Sequence, residues 1–494
     1  MSGGDSDGCG QPREGVACGR AGATQPPSSG EIRNMQVHSL TRISALALGI
    51  AGALACGQVH AAAFQLKENS VKAQGRAMAG AASAKGDASV VVNNPAMMST
   101  FDRTTIQGDV TAIDLSFEFE GSGYAAAGTP LQQPLTGGDG GDAGGVSPVP
   151  AMSFILPLEG SFEYLTLGAM VSAPFGLKTE YDDGWKGRYH ALNSDVKIID
   201  LTLAMSLDLG DHFSAGLGAV IERSDVTLSN AIDFGTALCG NAATQALCFM
   251  PNPITGPFGP QKNDGSVEVH GTDTSLGFIA GLSWRPTDNV SIGYSYRSEV
   301  DHSLTGDADF TVPTNVATIL ASTGQYVDTG ALAELTTPAV HTLSGTWYAT
   351  EKFALMGEVS RTGWSSLREI RIQFDNPRQA DSAEDYSWGD SWFYSVGGEY
   401  LLSDAFTLRA GIARDDSPVS YPHRTPRMPD QDRMWYSVGL TWAASENFSL
   451  DASYARIDLV DTPEVNILSS SRSRLTGSYD GGANLFGVSA QYRF

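Results

Sequence analysis

Residues 433–442 read RMWYSVGLTW. Met434, Tyr436, Val438, Leu440 and Trp442 share one face, while Arg433, Ser437, Gly439 and Thr441, together with Trp435, share the other. Successive side chains alternate sides along a strand, so this is a strand with one apolar and one mostly polar face. The pattern returns elsewhere. In LGFIAGLSWRP (276–286), Leu276, Phe278, Ala280, Leu282 and Trp284 oppose Gly277, Gly281, Ser283 and Arg285. In FTLRAGI (406–412), Phe406, Leu408, Ala410 and Ile412 oppose Thr407, Arg409 and Gly411. The last ten residues, LFGVSAQYRF, set Phe486, Val488, Ala490, Tyr492 and Phe494 against Ser489, Gln491 and Arg493.

A soluble sandwich alternates in the same way, so the connections have to decide. Tight polar turns fall near Glu159-Gly160, Gly210-Asp211, Thr287-Asp288-Asn289, Thr350-Glu351-Lys352, Ser403-Asp404 and Glu446-Asn447. Between them run longer Gly/Pro-rich links near 121–146, 175–191, 231–264, 309–337, 377–386, 419–431 and 461–473. Six short turns alternating with seven long links predict 14 strands, with both ends on the short-turn side. Many of these strands outrun the roughly 9–11 residues that a tilted membrane strand needs. The body of the chain holds no apolar run of about 18 residues, which excludes helical spans. The reading is an all-β fold, a 14-stranded antiparallel transmembrane β-barrel over 105–494. Closure leaves no unpaired edge in lipid. Trp442, Tyr454 and Phe494 fit an aromatic girdle, and the terminal Phe494 resembles the end signal read by the barrel assembly machinery.

The 494 residues include 17% charged residues and 56 glycines, with a net charge of −24. That acidity argues against a nucleic-acid partner. Residues 35–64, MQVHSLTRISALALGIAGALACGQVHAAAF, carry Arg42 before an apolar core and end in small residues, as an export signal does. Cleavage is expected after Ala61 or Ala63, giving a signal peptide over 35–61 and a location in the Gram-negative outer membrane. Residues 1–34 read as an upstream extension ahead of the true start at Met35. Cys239 and Cys248 remain after processing and are expected to form one loop disulfide. CGNAATQALC offers too few ligands for a metal, and no cofactor is expected.

Residues 62–104 do not fit the wall. They are rich in Ala and Gly, then run through strand-like valines at 90–92 into Asn93-Asn94-Pro95 and apolar Ala96, Met97 and Met98. A 14-strand barrel is too wide to fill with its own side chains, so this segment is expected to plug the lumen as an N-terminal hatch, with Asn94, Pro95 and Ala96 shaping it where it meets the wall.

AFQLKENSVKAQGRAMAG (63–80), Asn94-Pro95-Ala96, SAPFGLKTEYDDGWKGRYHAL (172–192), YRSEV (296–300) and GIARDDSPVSYPHRTPRMPDQDRMW (411–435) resemble, in order, motifs of the FadL family of outer-membrane transporters for long-chain fatty acids and other hydrophobic compounds. The resemblance implies a 14-stranded barrel with a hatch, apolar capture pockets, and release sideways through the wall. A monomer is implied too. Burying an acyl chain gains about 0.8 kcal/mol per CH₂, so an apolar pocket suits such a ligand. Uptake of aromatic or alkane hydrocarbons is the alternative.

Candidate capture residues are the apolar side chains of the second and third long links: Phe175, Leu177, Trp185, Tyr189, Leu192, Phe249, Ile254 and Phe258. As a group, apolar side chains in loops that should face water are informative. For a carboxylate head group, parity in LREIRIQF (367–374) points Arg371 inward, opposite Ile370, Ile372 and Phe374. Arg223 lies at the corresponding height in the family comparison, but alternation turns it outward, so it would need a bulge. Asp430, Asp432 and Arg433 are expected to pair at a strand end. Asp182, Asp183 and Asp430 are candidates for bridging to lipopolysaccharide through divalent cations. His302 and His341 lie among serines, without a local motif that would support an esterase.

Overall fold

A computed structural model describes residues 64–242, 244–248 and 256–494. The expected extension and signal segment, Phe249 and Ile254 lie outside the described residues. The wall consists of 14 strands. These are β1 Thr105–Ala125, β2 Gly145–Pro157, β3 Leu165–Glu180, β4 Asn193–Asp208, β5 Phe213–Asp233 and β6 Asp264–Thr287. Four strands follow in two pieces each: β7 (Val290–Arg297 and Val300–Thr311), β8 (Thr329–Thr337 and Val340–Tyr348), β9 (Phe353–Thr362 and Glu369–Phe374) and β10 (Ser382–Asp385 and Ser391–Ser403). β11 is Phe406–Asp415 and β12 Arg433–Ala443. β13 is Phe448–Leu459 with Glu464–Leu468, and β14 is Arg474–Arg493.

Each strand pairs antiparallel with its sequence neighbours, and β1 pairs with β14 from Thr105↔Arg493 to Tyr124↔Arg474, which closes the ring. The alternation has a direct physical basis. Tyr436, Val438, Leu440 and Trp442 are exposed on the outer face, as are Leu276, Phe278, Phe406, Ile412, Phe486 and Val488. Arg433, Trp435, Ser437 and Thr441 point into the lumen and are buried. Outward aromatics gather near the short turns: Phe406 lies opposite Trp442 across β11 and β12, Phe213 stacks on Trp284, and Tyr492 meets Phe494 edge-on. Such side chains sit at a membrane boundary, one end apolar and the other wet.

Residues 64–104 lie inside this ring, for they find partners on strands all round it. Gln74 accepts from Thr111 on β1, Ser206 of β4 and Ser214 of β5 both donate to the Ala96 carbonyl, and Ser83 bonds Ser344 and Thr346 on β8. Farther round, Arg76 pairs with Glu399 on β10, Lys72 pairs with Asp451 on β13, and Lys72 donates to Gln491 on β14. The segment is built from short turns: helix α1 Val71–Gln74, capped by the Ser70 hydroxyl, helix α2 Val90–Asn93, and a 3₁₀ helix Pro95–Thr100.

The valines at 90–92 are therefore helical rather than strand-like. Val90 and Val91 pack with Met97, Met98 and Phe101 against Ala151, Ile155, Met170 and Ala204 of β2, β3 and β4. Burial on one side of a helical turn outweighs their preference for strands.

Asn94 and Pro95 make the junction. Asn94 Oδ1 accepts from the Ala96 N–H (3.1 Å) and caps the 3₁₀ helix, with Pro95 pre-setting its first turn. Asn94 Nδ2 donates to the Ala82 carbonyl (2.9 Å) within the segment and to the Leu282 carbonyl (3.0 Å) of β6. This close approach requires glycine in the wall. A Cβ on Gly281 would strike Asn94 Oδ1, and one on Gly293 would strike the Ala82 carbonyl.

Asn94→Ala takes a side-chain donor from the Ala82 and Leu282 carbonyls and removes the cap, a loss of roughly 2–4 kcal/mol that falls on the segment rather than the wall. Faster amide hydrogen exchange over 82–100 with an intact barrel is the expected result. Gly281→Val should produce the same loosening with Asn94 in place. A second expectation concerns Glu68, whose buried carboxyl is pushed up to about 7, chiefly by loss of hydration. A folded-state value above the ordinary one means the contribution is fully present below about pH 4.5 and is lost as pH rises through about 7. Protection factors of residues 64–70, taken relative to the intrinsic base-catalysed exchange rate, should therefore fall between pH 5 and 8 in the native chain and stay level in Glu68→Gln.

Candidate functional site

On the outer face the apolar band ends near Ile221 and Leu276, and polar Arg223 and Thr274 follow. Beyond that height the polarity of the wall reverses. Leu177 on β3, Val196 on β4, Val226 and Leu228 on β5, Leu304 on β7, Leu335 on β8 and Ile370 and Ile372 on β9 turn inward, and with Tyr386, Trp388 and Met428 they enclose a cavity of about 60 Å³. Phe64 also lines it, set edge-on against Trp364 (centroids 4.7 Å apart) and Phe175 (5.8 Å) and 6.0 Å from Trp388. The polar side chains on its lining are His270, Tyr386 and Arg427, with the indole of Trp388. Arg427 is already engaged: it donates to the carbonyls of Asn193 and Ser229 and to the Ser194 hydroxyl, and pairs with Glu384 at 3.3 Å.

A second cavity, of about 90 Å³, lies on the other side of the Phe64–Phe175 contact. It is mixed in character, lined by Leu66, Lys67, Met78, Pro174, Phe175, Asp200, Arg297 and Glu358 among others. Arg297 is held by Asp200 and Glu222, and Glu222 also accepts from Thr337 and contacts His302. His302 sits between Glu222 and Asp273, 2.9 Å from each. A serine is not its partner here, so this histidine belongs to a buried ionic network.

The wall is broken beside this second cavity. β2 and β3 pair only from Met152↔Val171 to Pro157↔Thr166, and β3 shifts register against β4 between Ser172 and Phe175. On the β2 side stand Pro148 and Pro150, which lack N–H donors. Residue 150 lies opposite Val110, which is exposed on the outer face, so the gap opens toward lipid. The bulged part of β3 bonds inward instead: Leu66 N–H donates to the Pro174 carbonyl and Gly176 N–H to the Phe64 carbonyl, both at 2.7 Å. Residues 64–66 thus form a short strand laid on β3 at the gap.

Several expected site residues sit elsewhere. Arg371 does not face the lumen. It is exposed, bonded to Glu369 and 3.9 Å from Asp381, while Ile370 and Ile372 line the cavity. Parity failed because Glu369–Phe374 lies above the apolar band, beyond a 3₁₀ break at Trp364–Ser366, where water is outside and the apolar face turns in. Arg223 also points outward, 3.4 Å from the Thr274 hydroxyl, and the register of β5 is continuous there on both sides. The bulge it would need is not present.

Among the aromatic candidates, Leu177 lines the cavity and Phe175 stands behind Phe64. Trp185 stacks on Tyr181 (4.0 Å) and donates to the Ala191 carbonyl; Tyr189 donates to Asp264; Leu192 packs on the same cluster. Phe258 packs with Phe234, Leu238, Val316 and Leu320 around the Cys239–Cys248 disulfide loop. These four hold loops to one another. Arg433 pairs with Asp415 and Asp430, and Asp432 with Arg414, so that motif ties the tops of β11 and β12. Phe64, Trp364 and Trp388 were missed from sequence; Trp364 and Trp388 are apolar residues in polar stretches beyond the band, which was the available signal, while Phe64 follows three alanines and carried none.

A family model described as outer membrane protein transport protein (OMPP1/FadL/TodX) matches residues 52–494. Outer membrane protein P1 of Haemophilus influenzae is 31% identical over 475 residues, covering 90% of this chain and 98% of that one. The long-chain fatty acid transport protein of Escherichia coli K12 is 29% identical over 423 residues, covering 82% and 90%. Among solved structures, a Pseudomonas aeruginosa FadL homologue superposes with a TM-score of 0.79 at 26% identity, covering 88% of this chain and all of that one. The Pseudomonas putida toluene transporter TodX matches in fold, with a TM-score of 0.61 at 15% identity, covering 87% and 99%. The barrel and its gap, set beside these matches, identify a transport protein of the outer membrane, not an enzyme, and the chain belongs to the OMPP1/FadL/TodX family.

Proposed function

We propose that this protein takes up long-chain fatty acids, capturing the acyl chain in the upper cavity and releasing it sideways through the gap between β2 and β3. The observation that carries the reading is the position of Phe64, at once lining the upper cavity and part of the short strand laid on β3 at the gap. A chain entering the cavity must displace Phe64, and displacing it removes the bonds that hold residues 64–66 over the opening. Each buried CH₂ contributes about 0.8 kcal/mol, enough over a long chain to offset the loss of two backbone hydrogen bonds and an aromatic contact. Lipid then receives the ligand from the lower cavity without its crossing the periplasmic end of the lumen. The N-terminal segment acts as the hatch, and the Asn94–Pro95 junction anchors its far end. The relatives named long-chain fatty acid transport protein support the choice of substrate.

One observation favours a second reading, uptake of neutral hydrocarbons such as toluene. Arg223 and Arg371 both face away from the cavity, whose lining is almost wholly apolar.

The test is uptake by cells that lack their own fatty acid transporter and express this chain, with labelled oleate and labelled toluene in parallel. Oleate entry that falls at least fivefold in Asn94→Ala/Pro95→Ala supports the proposal. Toluene entry alone moves the protein to the hydrocarbon reading, and entry of neither through an assembled barrel contradicts both.

A further inference from the structure

The upper cavity has no cation free to meet a carboxylate, because Arg427 is committed to Glu384 and to backbone carbonyls. The lower cavity has two cations, and they differ. Arg297 is saturated by Asp200 and Glu222. Lys67 is not: its Nζ lies 4.4 Å from the centre of the Phe393 ring, and among the described residues no carboxylate oxygen comes within the 4.0 Å of an ion pair. Asp415 and Glu358 are the acids whose fields it feels, and each has another partner, Arg433 Nη2 at 3.0 Å and the Ala82 N–H at 3.3 Å. The neighbouring Glu68 turns an oxygen onto the backbone N–H of Lys67.

We propose that Lys67 is the head-group site of the lower cavity, taking the carboxylate of an amphipathic ligand whose tail lies past Phe64. Three residues of extended chain span at most about 11 Å, so Lys67 stands within one short acyl segment of the apolar chamber. An ammonium over an aromatic face keeps most of its charge available, and a carboxylate beside it in this partly dehydrated space gains far more than it would in water. Lys67 follows directly on the Phe64–Leu66 strand, so its charge draws the ligand onto the element that must move. The site rests on the fatty acid reading and adds to it a basis for preferring acids over neutral ligands of the same length.

The full chain, purified in detergent, is loaded with radiolabelled oleyl alcohol, and unlabelled oleate is used to displace it. Lys67→Met keeps the aliphatic stem on Phe393 and removes the charge; Lys67→Arg keeps both. The expected result is unchanged alcohol binding in all three proteins, oleate displacement at least tenfold weaker in Lys67→Met, and displacement within threefold of native in Lys67→Arg. Oleate displacement as strong in Lys67→Met as in the native chain overturns the Lys67 site and leaves fatty acid uptake standing. Equal loss of alcohol and oleate in Lys67→Met overturns it as well. A native chain that holds the alcohol and ignores oleate overturns the fatty acid reading itself.

Discussion

The structure is organised by the need to satisfy backbone hydrogen bonds in lipid, and by the gap between β2 and β3 where the wall leaves them unmade. A closed 14-strand ring pairs every strand with two neighbours. At the upper part of β2 and β3 the ladder stops, and the chain answers with its own N-terminal residues: Leu66 and Phe64 supply the donor and acceptor that β2 does not. A strand borrowed from outside the wall can be given back without breaking the ring. Under the proposed route this places the exit in the side of the barrel, and Phe64 of the borrowed strand lines the apolar cavity above it.

The N-terminal segment is held by two kinds of interaction with different consequences. Its far end is fixed by direct contact with glycines of the wall, where Asn94 and Ala82 approach β6 and β7 too closely for any side chain. Its middle is fixed by buried ion pairs, Lys72 with Asp451 and Arg76 with Glu399. Its near end, residues 64–66, is held by two backbone bonds to β3, the Thr362 hydroxyl on Gln65, the packing of Leu66 and a cluster of rings around Phe64. Among the described residues the near end carries no buried ion pair of the kind that fixes the middle, and it is the part that lines the apolar cavity.

Much of the fold was legible in the sequence because lipid outside and a polar lumen inside impose opposite polarities on neighbouring residues. Tyr436, Val438 and Leu440 against Ser437 and Thr441 could hardly be read another way. The site was less legible because that rule inverts above the membrane. Ile370 and Ile372 look like a lipid face and line the chamber, while Arg371 looks like a lumen charge and is solvated. Trp185, Tyr189 and Phe258 are apolar loop residues whose work is to hold loops together, and sequence alone does not separate that from ligand contact. The valines at 90–92 were misread for a similar reason, since their helical turn is fixed by the wall they pack on and not by their own preference.

In the proposed route, residues 64–66 must leave β3 for a ligand to pass. Gln65 and Phe175 are bridge partners flanked by the two 2.7 Å bonds, the narrow kind of antiparallel pair whose geometry suits a disulfide. The most direct measurement is oleate uptake by cells carrying Gln65→Cys/Phe175→Cys, before and after reduction. The oxidised tether is expected to abolish uptake, and a reducing agent to restore it in the same cells. Uptake at equal rates in the two states would show that the ligand passes with the strand in place, and would rule out release by its departure.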